Sequence, residues 1–200
     1  KGSAGLNIPN TAFGTSGSST DNAAPIESFK LENGTPPTFT TKVKSTLKTL
    51  ELGDGVEWAI PESYCSSVEK LESVTLGNGI TGIGNYAFYK CSNLATVTLP
   101  EDGKLTTIGN YAFSGDAHTY TEEPSAVTSN SPKIKTIDIP ASVTSIGNSA
   151  FAACIELETV RFAGSSNLNN IGASAFINCY DLQTVDLSGI SNDVTFGDYA

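Results

Sequence analysis

Apolar residues recur along this chain in a short fixed pattern, L-x-x-V-x-L, and each copy leads into a second pattern, I-G-x-x-A-F. The first is clearest at Leu71/Val74/Leu76, Leu94/Val97/Leu99, Ile134/Ile137/Ile139, Leu157/Val160/Phe162 and Leu182/Val185/Leu187. Degenerate forms precede these at Ile26/Phe29/Leu31 and Leu47/Leu50/Leu52. The second reads IGNYAF at both Ile83–Phe88 and Ile108–Phe113, IGNSAF at Ile146–Phe151 and IGASAF at Ile171–Phe176. A looser IPNTAF lies at Ile8–Phe13, and FGDYA closes the chain at Phe196–Ala200. Alternation of period two predicts a short strand for every L-x-x-V-x-L, with Val74 and Leu76 facing one way and Ser73 and Thr75 the other.

The units start 21, 24, 23, 40, 23 and 25 residues apart. Self-similarity at such a period is the mark of a solenoid, in which one unit cannot bury its apolar face and stacking supplies the core. The 40-residue step is an ordinary unit carrying an insertion, Ser114–Lys133, which reads SGDAHTYTEEPSAVTSNSPK. The glycine after each Ile (Gly84, Gly109, Gly147, Gly172, Gly197) marks a turn position where a Cβ would clash or φ is positive. The hexapeptide is therefore a corner and a core plug.

The full unit, clearest in IKTIDIPASVTSIGNSAFAACIEL from Ile134 to Leu157, resembles the BspA-type leucine-rich repeat. The likeness is close over 47–200 and loose over 8–47. It implies a leucine-rich-repeat solenoid of the α/β horseshoe type, rich in β. A parallel concave sheet of about seven short strands would face turns and short helical or 3-10 corners on the convex side. The expected organisation is a single domain over 1–200, with degenerate repeats in 1–46, regular repeats in 47–200 and the insertion at 114–133. Members of the family are cell-surface or secreted proteins of bacteria and some protists, implicated in adhesion and host-protein binding.

Composition narrows the function. The formal net charge is −10 with no cluster of Lys or Arg, which repels a phosphate backbone and an anionic membrane surface. No run of about 18 apolar residues is present to insert into a bilayer. The chain lacks Met and begins in a Gly/Ser-rich tract, which reads as a mature or trimmed segment of something longer. Low charge (16%) and abundant Ser, Thr, Asn and Gly suit an extracellular β-rich surface.

The candidate chemistry is sparse. GNGITG at Gly77–Gly82 matches a dinucleotide fingerprint, but the equivalent positions at Pro140–Ser145 read PASVTS and no long helix follows, so it is a repeat corner. Cys91, Cys154 and Cys179 each sit three residues after the repeat Phe, and Cys65 follows Tyr64 in the Phe place. They lack C-x-x-C spacing and the chain holds one histidine, so no zinc site or other cofactor is expected. Stacked buried thiols are the reading, with a Cys154–Cys179 bridge as the alternative in an oxidising compartment. His118 lies in the polar insertion beside Asp116, Glu122 and Glu123 without partners of fixed geometry. GTSGS at Gly14–Ser18 lacks the closing Gly of a nucleophile elbow, and Asp54 and Asp102 occupy Gly-rich bends without a calcium-loop pattern.

Two outward columns remain. Ser28, Thr49, Ser73, Thr96, Thr136, Thr159 and Thr184 form a predicted hydroxyl ladder, which β-propensity alone can produce. The next column varies: Lys30, Glu51, Thr75, Thr98, Asp138, Arg161 and Asp186. Seven strands at about 4.8 Å span roughly 30 Å, comparable with one side of a standard interface. The candidate partner-binding residues are thus Thr49, Glu51, Thr75, Thr98, Thr136, Asp138, Thr159, Arg161, Thr184 and Asp186, together with His118. The expected function is a noncatalytic surface module for an extracellular protein ligand. A rigid spacer and a glycan-binding accessory region are the alternatives, and oligomeric state is left open.

Overall fold

Each L-x-x-V-x-L does form a strand, and within each sheet every strand pairs in parallel with the one a unit before it. In the computed structural model, which describes residues 25–116, 130–164, 166–190 and 192–200, seven strands carry the first pattern. They are β1 (Ser28–Asn33), β2 (Thr49–Gly55), β4 (Ser73–Leu76), β6 (Thr96–Thr98), β8 (Thr136–Ile139), β10 (Thr159–Phe162) and β12 (Thr184–Asp186). Their pairing puts Val on Val and Thr on Thr: Leu50 lies opposite Val74, Val74 opposite Val97, and Ile137 opposite Val160. The IPNTAF copy at 8–13, and His118 with the middle of the insertion (117–129), lie outside the described residues.

The seven strands form two sheets rather than one. The order β1-β2-β4-β6 makes the first and β8-β10-β12 the second, with the break at the inserted unit. A second face, not foreseen as strand, runs unbroken across that point. Its strands are β3 (Trp58–Ile60), β5 (Ile80–Ile83), β7 (Thr107–Ile108), β9 (Ser145–Ile146), β11 (Asn170–Ile171) and β13 (Thr195–Phe196), all parallel. The Ile of each I-G-x-x-A-F is thus a strand residue, in register from Ile83 through Ile108 and Ile146 to Ile171.

The corners are turns. The only α-helix among the described residues is α1 (Thr41–Lys44), four residues capped by Thr40, whose hydroxyl accepts from the Val43 amide. Elsewhere left-handed residues punctuate the corners, mostly in pairs, as at Tyr86 (φ 56°) and Lys90 (φ 57°), or Ser149 (φ 53°) and Ala153 (φ 56°), with Tyr111 (φ 55°) single in its corner. Such residues stop a right-handed helix from propagating. The corner amides instead reach the next coil: Tyr86, Phe88 and Lys90 donate to the carbonyls of Asn110, Ala112 and Ser114 at 2.8–2.9 Å. The same bonds recur from Tyr111, Phe113 and Gly115 to Asn148, Ala150 and Ala152.

The hexapeptide now has a physical reading, letter by letter. Gly109 does not have positive φ; a Cβ there would sit 2.7 Å from the Asn85 backbone nitrogen, so it is the close approach that demands glycine. Asn85 accepts the Asn110 amide at 2.8 Å and Asn110 accepts that of Asn148 at 2.8 Å, pairing donors that the corner would otherwise orphan. Ala173 donates its amide to Asn148 at 2.8 Å but has no side-chain oxygen to extend the series. Phe88, Phe113, Phe151 and Phe176 stack at centroid spacings of 5.2, 5.3 and 5.4 Å, the first three fully buried. Each such pair contributes about 0.5–1.5 kcal/mol beyond burial.

At the first coil Phe29, Phe39, Tyr64 and Trp58 make an aromatic cover, and the Tyr64 hydroxyl donates to the Pro37 carbonyl at 2.9 Å. At the last described coil Val185 and Phe196 belong to core columns yet are 46% and 55% exposed, because no described coil stacks on them.

The packing separates two kinds of glycine. Gly147→Ala forces a Cβ to within 2.6 Å of backbone and should cost about 1–3 kcal/mol or more in urea unfolding. Gly164→Ala enters open space and should stay within about 0.5 kcal/mol.

Candidate functional site

The two outward columns exist as aligned rows. Ser28, Thr49, Ser73 and Thr96 are direct neighbours on the first sheet, and Thr136, Thr159 and Thr184 on the second. Thr49 donates its hydroxyl to that of Ser28 at 2.6 Å. In the second row Lys30, Glu51, Thr75 and Thr98 align, as do Asp138, Arg161 and Asp186. Charges on this row pair along it. Lys30 bridges Glu51 and Glu32, and Arg161 meets Asp138 at 3.1 Å. All these groups are solvent-exposed, so each bridge contributes at most about 1 kcal/mol. The Asp186 carboxyl is held below its ordinary range by the Ser188 hydroxyl and amide, the latter at 2.9 Å, and then by the Arg161 charge.

Ten of the sequence-derived candidates thus share one face, divided by the break: Thr49, Glu51, Thr75 and Thr98 on one side, and Thr136, Asp138, Thr159, Arg161, Thr184 and Asp186 on the other. His118, the eleventh, lies outside the described residues.

The break is the feature that the columns did not reveal. In regular units the residue opening the strand donates to the preceding coil, as Thr96 does to Glu72 and Thr159 to Lys135, both at 3.1 Å. Between β6 and β8 the donor is Lys133, three residues early, bonded to Leu94 at 2.8 Å, and no ladder follows. The roots of the insertion are packed there: Ser114, Gly115, Ser131 and Pro132 are buried, and Lys90 meets Asp116 at 2.8 Å. The second face and the Phe stack stay closed at this level, so the coils open as a wedge on the first face only.

That wedge is a cavity of about 580 Å³. Val97, Thr98 and Leu99 form one wall, and Asp138, Ile139 and Pro140 the other, with Phe162 and Arg161 behind them. Val97 is only partly buried, whereas its row neighbours Val74 and Ile137 are fully so. A second trough of about 440 Å³ shares Thr98, Leu99, Glu101 and Asp102 and continues past Thr75, Asp54, Glu51 and Glu32. The strand ends are consequently lined by carboxylates. Glu101 and the groove role of Asp102 were missed because turn acids are ordinary in any one unit; only stacking gathers them.

The thiols of Cys65, Cys91 and Cys154 are core, and Cys179 packs half-buried against it. All four are unbridged, and those of Cys91, Cys154 and Cys179 donate to the carbonyls of Cys65, Phe113 and Phe151 in the coil before, at 3.1–3.3 Å. Burial pushes the Cys91 and Cys179 thiols from 9.0 up to about 12, and those of Cys65 and Cys154 well up. Among the described residues no group of His, Cys, Asp and Glu is placed to hold a metal ion. No helix among the described residues is long and apolar enough to cross a membrane.

Two faces of stacked parallel strands with turn corners and asparagine, phenylalanine and cysteine columns define a leucine-rich-repeat solenoid. The family model for the BspA type leucine rich repeat region matches residues 58–130 and 121–200, in six copies, and the chain belongs to that family. A leucine rich cell surface protein from Faecalibacterium prausnitzii is similar in structure, with 24% identity over 82% of this chain and a TM-score of 0.54. A leucine-rich repeat protein from Bacteroides ovatus is 22% identical over 76% of this chain, with a TM-score of 0.40. The matches cover 33% and 48% of those two chains, so this chain spans less than half of either. No curated protein sequence matches it.

The thiol column predicts a pH response. Folded thiols titrate higher than unfolded ones, so their stabilisation is complete below about pH 9 and is lost as pH rises toward about 12. Urea melts across that range should show falling stability, and Cys91→Ala with Cys179→Ala should flatten the slope.

Proposed function

We propose that this chain is a noncatalytic binding module of a cell-surface or secreted protein, engaging an extracellular protein ligand through the first-strand face and the flanking insertion. The carrying observation is the pair of aligned rows: a constant hydroxyl row that tolerates contact, beside a charged row that varies from strand to strand. Fixed strands hold those side chains at a repeating spacing, so recognition needs little ordering on binding. The family and the surface location of the Faecalibacterium relative support this reading. We also propose that the chain is one repeat domain, with 114–133 as its single large insertion.

A rigid spacer is the second reading, favoured by the second face, unbroken from β3 to β13, and by the phenylalanine stack from Phe88 to Phe176. The tyrosines do not favour a glycan platform. Tyr86 and Tyr111 stack on each other at 4.9 Å and 3°, so each ring covers a face of the other.

Biolayer interferometry against a panel of extracellular-matrix proteins decides between module and spacer. Saturable binding of one protein should weaken about tenfold, roughly 1.4 kcal/mol, when Asp138→Asn, Arg161→Gln and Asp186→Asn are combined. Deletion of residues 117–129 should weaken it further. Binding indifferent to both changes would remove this face from the interface, and no binding to any protein would leave the spacer.

A further inference from the structure

We propose that the wedge between β6 and β8 docks an extended, lysine- or arginine-bearing segment of the protein ligand, paired by its backbone to the open strand edges. This rests on the binding-module reading and names the partner's chemistry. Three observations carry it.

The first is the open edges themselves. In a parallel ladder alternate residues turn their main-chain groups to opposite sides. Thr96 bonds to the β4 side and Lys135 to the β10 side, which turns the main-chain groups of Val97, Thr136 and Asp138 toward the gap. No β6–β8 ladder satisfies them. Exposed strand edges recruit extended peptides through backbone hydrogen bonds.

The second is the cavity. It opens where the apolar column is interrupted, leaving Val97 partly exposed above Leu99 and Ile139. An extended segment alternates its side chains, so one set can meet this apolar floor while the other meets the rim.

The third is charge complementarity. Glu101, Asp102, Asp138 and Asp186 stand at the rim, and Arg161 is engaged by Asp138. Glu101 and Asp102 form no ion pair among the described residues. The neighbouring trough adds Glu32, Glu51 and Asp54. A cationic strand is steered to this edge, and an anionic one is repelled.

The test uses acetyl-(Lys-Val)4-amide as probe, followed by isothermal titration calorimetry on the whole chain. The peptide should bind saturably and more weakly at higher salt, while acetyl-(Glu-Val)4-amide should not bind. Glu101→Gln with Asp102→Asn should weaken binding at least fivefold, and N-methylation of alternate peptide amides at least tenfold. Glu62→Gln with Glu69→Gln, exposed acids at and beyond the corner, should change nothing, and matched thermal melts report that each variant is folded. Equal loss from the remote pair, or no loss from N-methylation, would overturn the proposal in favour of diffuse attraction to an acidic protein. If a matrix protein binds and depends on Asp138, Arg161 and Asp186 but the peptide does not compete, the wedge inference fails alone. If neither protein nor peptide binds, both readings fail.

Discussion

The structure depends on how closely one coil can lie on the next. Backbone hydrogen bonds on both strand faces and along the corners fix that separation, and the glycine after each corner isoleucine is what permits it. With Gly109 against Asn85 and Gly147 against Asn110, any side chain would meet backbone at less than 3 Å. Once the spacing is set, every position must stack on its own counterpart a unit away. Phenylalanine meets phenylalanine, asparagine pairs the next amide, and cysteine donates to the carbonyl below. The repetition of the sequence is the chemical consequence of a constant translation.

That constraint also explains why the inserted unit opens only one face. The added residues enter between Phe113 and Ile134, after the corner has made its bonds and before the strand begins. Corner and second face keep their register through Phe151 and Ile146. The strand alone must absorb the altered approach, and its first bond shifts to Lys133. A local change of chain path thus becomes an interruption of the sheet. The interruption leaves the facing edges of β6 and β8 without a ladder and Val97 partly exposed within an otherwise regular array.

Family membership settles the scaffold and leaves the ligand open, because function in repeat proteins resides in the residues grafted on the scaffold. The hydroxyl row is what strand propensity would write in any case. The information that differs between strands lies in the row from Lys30 to Asp186 and in the turn acids beyond it. Partial self-pairing, as in Arg161 with Asp138, leaves the strand ends predominantly negative.

The sequence by itself determined the repeat, the strands of the first face, the rows they form and the burial of the thiols, because a period-two pattern repeated at a fixed interval has one stacked solution. It identified the glycine column but left open its cause, which the structure assigns to close approach. It did not write the second face: two-residue strands such as Thr107–Ile108 are too short to show alternation, and only inter-coil bonding makes them strands. Nor did it write the corner turns, whose left-handed residues are Tyr, Ser, Lys, Ala and Asn rather than glycine. The tertiary structure alone decided that seven strands divide as four and three, and that Glu101, Asp102, Asp138 and Asp186 converge on one groove. Their distance along the chain hides a proximity created by coil stacking.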